Sequence, residues 1–178
     1  MDQDLWVFGY GSLMWRPGFP YRERRLATVT GYHRALCVLS HVHRGTPERP
    51  GLVLGLADGG TCRGVAFRVA ALDRESTIAY LREREQVTAV YLEIETDAVL
   101  DDGRGVRALT YAVDVSHPQY AGDLDHAALL RHVRQGVGRS GANPDYVRST
   151  YEHLVEIGVA DPVLERLVRD LAEPALER

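Results

Sequence analysis

The chain has 178 residues, of which 45% are hydrophobic and 26% charged, and its formal net charge is −4. This composition predicts a soluble globular protein forming one domain over residues 1–178, able to bury a core without disulfide or metal staples. The weak negative charge and the absence of a basic stripe argue against nucleic-acid binding, and no run approaches the roughly 18 apolar residues of a membrane span.

The opening residues include Asp2 and Asp4 and show neither a positive leader nor a long apolar stretch, so no targeting segment is expected. Cys37 and Cys62 both sit in apolar, strand-like contexts and read as buried free thiols. Together these features predict a cytoplasmic location.

In chain order, residues 5–9 form an apolar strand ending at Gly9-Tyr10-Gly11-Ser12. Residues 26–40 carry aromatic and β-branched residues suited to one long or two short strands. Residues 52–56 and 62–69 flank Asp58-Gly59-Gly60, a hairpin signal. A helix is expected from about residue 72 to 86, opened by Asp73. Strands return at 88–96, which alternates through Val90, Leu92 and Ile94, and at 106–115, with Asp101-Asp102-Gly103 as the turn between them.

The last third reads as helical. Residues 125–137 form one helix, and Asn143-Pro144 and Asp161-Pro162 each open another, as a capping residue followed by proline at the first helical position. Strands first and helices later predict an α+β fold. Closely spaced hairpins without crossover helices favour a mostly antiparallel sheet, closed into a small β-barrel with flanking helices.

The first glycine motif follows a strand but lacks the third glycine of a dinucleotide loop, since Met14 stands there, and no βαβ unit follows. A second stretch, residues 136–141, fits the G-x-G-x-x-G spacing but follows a helix, so it reads as a helix C-cap and a loop. The first motif keeps two readings. It is either an anion-binding turn that exposes successive N–H groups, or a tight turn leaving a core strand.

The helix near residues 72–86 carries an oddity. With Ile78 at zero and about 100° per residue, Leu81 falls near −60°, Ala71 near +20° and Glu85 near −20°, so Glu85 lies within the apolar stripe. Glu83 and Arg84 fall outside it, and Arg82 lies at its edge, placed either to turn inward or to pair with a carboxylate. A carboxylate on a packed face is costly unless used, and desolvation raises its pKa toward the range of a general base. The alternative is a helix that ends before Glu85 and lets the side chain turn to solvent.

His41, His43 and Glu48 match part of a cupin metal motif, in which two His and a Glu on neighbouring strands bind a divalent metal. The upstream glycine of that motif is replaced by Ala35, and its second half is missing.

Taken together, several segments resemble the ChaC family of glutathione-specific γ-glutamylcyclotransferases. They are WVFGYGSLMWRPGFPY (6–21), GYHR (31–34), HRGTPERPGLVLGL (43–56), CRGVAFRV (62–69), YLREREQ (80–86), HPQYAG (117–122) and GRSGANPDY (138–146), in family order. The resemblance implies a small mixed barrel with flanking helices and a catalytic Glu in an Arg-Glu dipeptide after Tyr-Leu. Counted from Tyr80-Leu81, the family spacing selects Glu85 over Glu83, the same residue that the helical wheel picks. It implies that Gly9, Tyr10, Gly11, Ser12 and Leu13 hold the γ-glutamyl group and that Tyr120 closes over the substrate. Arg44 is expected to contact the rest of glutathione. Relatives often carry glycines where this chain has Val87-Thr88-Ala89, so the end of the helix is expected to differ. The implied reaction is an intramolecular aminolysis without metal or cofactor, releasing 5-oxoproline and Cys-Gly. Glutathione is the expected small-molecule partner, and the oligomeric state stays open. The rival readings are the cupin-like metalloenzyme, a non-catalytic γ-glutamyl-binding domain, and a cyclotransferase for another γ-glutamyl compound.

Overall fold

The apolar run at the N-terminus forms β1 (Leu5–Gly9) in the computed structural model, which describes residues 3–86 and 89–174. β1 has a neighbour on each side and is buried nearly throughout, as its uninterrupted apolar sequence requires. On one side it pairs antiparallel with β3 (Gly51–Val69), from Leu5 opposite Val69 to Gly9 opposite Val65. On the other it pairs in parallel with β5 (Gly105–Val113), where Trp6 and Val7 face Ala108 and Leu109.

β2 (Glu23–Ser40) and β4 (Tyr91–Leu100) complete a closed barrel in the order β1-β3-β2-β4-β5. β4 and β5 pair antiparallel from Tyr91 opposite Val113 through Val99 opposite Gly105, joined by the turn at Gly103 with φ of 89°. The α+β reading and the closed, mostly antiparallel barrel therefore hold. Val7, Phe8, Val29, Leu52, Leu56, Val65 and Phe67 are completely or almost completely shielded from solvent.

The chain divides into two compact units, one of Met1–Ala35 with Gly55–His117 and one of Leu36–Leu54 with Pro118–Arg178. Of the helices, α1 (Arg74–Glu85) belongs to the first unit, while α2 (His126–Gln135), α3 (Asn143–Ile157) and α4 (Pro162–Leu171) belong to the second. Asp125 caps α2 by accepting from Ala128 N–H at 2.8 Å, and Asp161 caps α4 by accepting from Leu164 N–H at 3.1 Å. Among the described residues no helix is long and apolar enough to cross a membrane.

Four local expectations are corrected. The hairpin at residues 58–60 does not form, because β3 runs unbroken from Gly51 to Val69. Gly59 and Gly60 do take the positive φ values, 94° and 76°, that a tight turn would use, but an irregularity inside a paired strand needs the same dihedrals. The α2 helix stops at Gln135, and its expected last residue, Val137, starts a two-stranded ribbon of β6 (Val137–Gly138) and β7 (Gly141–Ala142). The second glycine stretch is thus a C-cap followed by a ribbon rather than a loop.

Asn143 begins α3 without capping it. Its fully buried amide is taken by β3 instead, accepting from Leu52 N–H and donating to Leu52 C=O, both at 2.8 Å. Finally, β4 starts at Tyr91 rather than 88; Val87 and Thr88 lie outside the described residues. Ala89 follows with φ of 56°, a conformation that glycine adopts without steric cost, in the stretch where the resemblance expects glycines.

Candidate functional site

In the first unit the chain leaves β1 at Gly9 and folds back at once into a 3₁₀ turn, Ser12–Met14. A Cβ on Gly9 would stand 2.9 Å from the Leu13 Cβ, so only glycine lets the turn close so tightly over the strand end. Gly64 on β3 is needed for the same reason: a Cβ there would meet the Gly9 carbonyl oxygen at 2.3 Å and the Phe8 ring at 2.8 Å. The turn is made by Met14 N–H to Gly11 C=O at 2.9 Å and Arg16 N–H to Ser12 C=O at 2.8 Å. Among the described residues, the donors of the turn's backbone bonds are Met14, Trp15 and Arg16, so the Ser12 and Leu13 N–H groups are not used by them. Tyr10, Leu13 and Met14 are buried, and Gly11 and Ser12 are half-buried.

Arginines grip this turn from two elements. Arg34 of β2 donates from Nε to the Tyr10 carbonyl at 2.6 Å and from an Nη to the Arg63 carbonyl at 2.6 Å. Arg84 of α1 donates to the Ser12 hydroxyl at 2.9 Å, the Arg16 carbonyl at 2.7 Å, the Pro17 carbonyl at 3.3 Å and the Tyr80 hydroxyl at 3.0 Å.

Glu85 is the last residue of α1, so the helix does reach it, and its side chain keeps only 19% of its exposure. Burial pushes the Glu85 carboxyl above its ordinary value, and the Arg84 guanidinium, with Nε 3.4 Å from Oε1, opposes that rise. Around it the other charges are neutralised in pairs. Arg82 lies outward and binds Glu93 of β4 through two bonds of 2.9 Å, which holds the Glu93 carboxyl below the usual range. The buried Tyr111 of β5 donates to Glu93 at 3.0 Å; burial foremost, with Glu93 and Glu85 adding to it, raises its phenol well above normal. One neighbouring carboxylate is thus paired and fixed in its charge, and the other is desolvated and poised to exchange a proton.

The placement of Arg84 corrects the helical-wheel expectation. The buried residues of α1 are Thr77 and Leu81, so its packed face centres about 80° away from Ile78, and Arg84, at about −120°, lies on that face. A wheel centred on apolar residues hides Arg84, because Ile78 is only half-buried and the buried Thr77 is polar. Arg34 was missed as well: a β-strand arginine carries no signal of which carbonyls it will meet.

Of the expected site residues, Gly9, Tyr10, Gly11, Ser12, Leu13 and Glu85 all belong to the first unit, and Arg84 touches both Ser12 and Glu85. Arg44 and Tyr120 belong to the second unit. There Arg44 is held by its N–H on the Ser40 hydroxyl at 2.9 Å and by a guanidinium bond to the Ala142 carbonyl at 3.2 Å, and it lies over the Tyr146 ring at 5.4 Å. Tyr120 bridges to Val38 across a short antiparallel pairing. Cys37 and Cys62 are buried and are not joined in a disulfide.

The metal motif does not assemble. His41 and His43 lie past the end of β2 and Glu48 in a bend, not on neighbouring strands, and His43 Nδ1 is 2.9 Å from the Ser140 hydroxyl. Among the described residues no group of three or more His, Cys, Asp or Glu side chains is placed to hold a metal ion.

A family model described as "ChaC-like protein" matches residues 5–173. The chain is 36% identical over 164 residues to the glutathione-specific gamma-glutamylcyclotransferase of Escherichia coli (strain K12), covering 92% of this chain and 71% of that protein. It is 34% identical over 149 residues to glutathione-specific gamma-glutamylcyclotransferase 1 of Homo sapiens, covering 82% and 67%. To gamma-glutamylcyclotransferase 2-3 of Arabidopsis thaliana it is 32% identical over 176 residues, covering 94% and 86%. The crystal structure of the yeast gamma-glutamyl cyclotransferase specific to glutathione superposes with a TM-score of 0.82 at 21% identity, covering 95% of this chain and 96% of that one, a likeness of fold.

Proposed function

The chain belongs to the ChaC-like protein family, and on that footing we propose that it is a γ-glutamylcyclotransferase that cleaves glutathione to 5-oxoproline and Cys-Gly. The observation that carries the reading is Glu85, a desolvated carboxylate joined through Arg84 to the tight turn that follows β1.

The reaction needs little from the protein beyond geometry and one base. The α-ammonium of the γ-glutamyl group must lose a proton before its nitrogen can attack the γ-carbonyl. Glu85, in its ionised form, takes that proton. The N–H groups and hydroxyl of residues 10–13 hold the substrate carboxylate or the oxyanion that develops as the new C–N bond forms. Collapse of the tetrahedral intermediate breaks the old amide C–N bond as Glu85 returns the first proton to the leaving cysteinyl nitrogen; the attacking nitrogen sheds its second proton, which ends on the released amine as its ammonium and leaves the lactam N–H. Attacking amine and carbonyl are parts of one molecule, so folding the chain into a near-attack ring supplies much of the acceleration. No metal or cofactor takes part in this scheme.

Arg44 is the proposed contact for the Cys-Gly part, and Tyr120 the proposed cover over the substrate. Residues 1–178 act as one functional domain in this reading, supported by a family match that runs from 5 to 173. A cytoplasmic location belongs to the same reading and is supported by two buried cysteines that form no disulfide, which suits a reducing compartment.

Comparing turnover of glutathione with that of γ-glutamyl-alanine and a γ-glutamyl amine tests the substrate. Glutathione is expected to lead in kcat/KM by at least about tenfold, the effect of one well-made polar contact to the Cys-Gly part. Equal turnover of all three would assign the protein to a broader γ-glutamyl class.

A further inference from the structure

We infer that Arg84 is a positioning residue that sets the Ser12 hydroxyl as a donor toward the substrate's anionic group and locks the turn in register with Glu85. The inference deepens the function proposed above and rests on it.

The geometry begins with the direction of one hydrogen bond. A guanidinium has no acceptor, so in the 2.9 Å contact Arg84 donates and the Ser12 oxygen accepts. The Ser12 hydrogen is then left to donate, and its oxygen lone pair is drawn toward a cation, which strengthens that donation. A serine in such a chain favours a carboxylate or oxyanion over a neutral acceptor.

The remaining Arg84 bonds say what else is fixed. Its carbonyl acceptors are Arg16 and Pro17, the residues that lead the chain out of the 3₁₀ turn, at 2.7 and 3.3 Å. Its fourth acceptor, the Tyr80 hydroxyl, sits one helical turn back on α1. Where a Cβ on Gly18 would be, the Tyr80 hydroxyl lies 2.0 Å away, and Gly18 takes φ of 76°, so that stretch of chain passes close against this cluster only as glycine. The Arg84 side chain keeps 21% of its exposure, and its Nε stands 3.4 Å from the Glu85 carboxylate. A fork of this shape, unlike a lysine, can reach turn and base together.

Among the described residues, the charged and titratable groups that interact with Glu85 are Arg84 on its own helix and Tyr111 on β5. Behind Tyr111 stand Glu93 of β4 and Arg82, which neutralise each other. Arg84 is therefore the cation that counters the burial of Glu85, and its loss moves the base toward its protonated form at a given pH.

The test is steady-state glutathione turnover, read as KM, kcat and the pH profile of kcat/KM. The variants are Arg84→Gln, Arg84→Lys, Ser12→Ala and the double variant S12A/R84Q, each checked for fold by circular dichroism and melting. Arg84→Gln is expected to raise KM by about tenfold and to shift the acidic limb of the profile upward. Arg84→Lys is expected to return the limb toward wild type while KM stays raised, because the charge survives and the fork does not. Ser12→Ala is expected to raise KM similarly, and the double variant to be no worse than R84Q, since both remove one chain of contacts. Additive losses in the double variant would overturn the inference. So would an R84Q protein, or an R84K protein if R84Q does not fold, with wild-type KM and an unmoved limb. Wild type and Glu85→Gln run in the same series: a wild type that releases no 5-oxoproline sinks the proposed function, whereas an active wild type with silent Arg84 variants sinks only this inference.

Discussion

Glu85 is a carboxylate that the fold tolerates at a cost in stability, and that cost has a measurable sign. Burial raises its folded-state pKa above the ordinary value of about 4.3, so the folded state holds the Glu85 proton more tightly than the unfolded chain does. Its contribution is most favourable below the ordinary glutamate range and is lost as pH rises through the folded-state value. Glu85→Gln removes the ionisation, and its melting temperature should exceed that of wild type by a few degrees at neutral pH, the gain fading as pH falls through the raised folded-state value and vanishing below the ordinary glutamate range. A thermal-melt series against pH checks this. The same variant should lose activity by about 10²–10⁴-fold, the usual worth of a general base, while Glu83→Gln on the exposed side of α1 should stay near wild type. Glu85 was legible in the sequence because a charge in an apolar stripe contradicts the pattern around it. Arg84 was not, because a long cationic side chain reveals its partners only when the carbonyls of residues 16 and 17 are in place.

Among the elements, the β3–α3 junction of the second unit depends on one amide. Asn143 →Ala would leave both Leu52 backbone groups without their buried partner and is expected to cost about 2–4 kcal/mol, measured by denaturant unfolding. Asp161→Ala should cost about 1 kcal/mol through loss of the α4 cap, in the same assay. The contrast between these positions shows where reading the sequence stops. Asp-Pro and Asn-Pro look alike as helix openings, and both do open helices, but the Asn side chain is drawn to a strand some 91 residues away. Likewise Gly59 and Gly60 take positive φ locally, while the sheet decides that β3 continues through them to Val69 instead of turning back. Local chemistry is written in the dipeptide; the choice between a turn and an irregular strand belongs to the sheet.

At the scale of the molecule, the barrel itself was foreseeable: short alternating strands, turn signals between them and a helical last third leave few arrangements that bury every apolar face. Which strands neighbour each other was not, since β1 joins β3 and β5 across long stretches of chain. We propose that this fold uses a carboxylate and a turn, with no metal, to make glutathione close on itself. The most direct measurement strips the protein of metal with a chelator, adds glutathione, and quantifies 5-oxoproline and Cys-Gly together. The two products should appear in equal amounts at an undiminished rate. Absence of 5-oxoproline, or release that returns only when a divalent metal is restored, would contradict it.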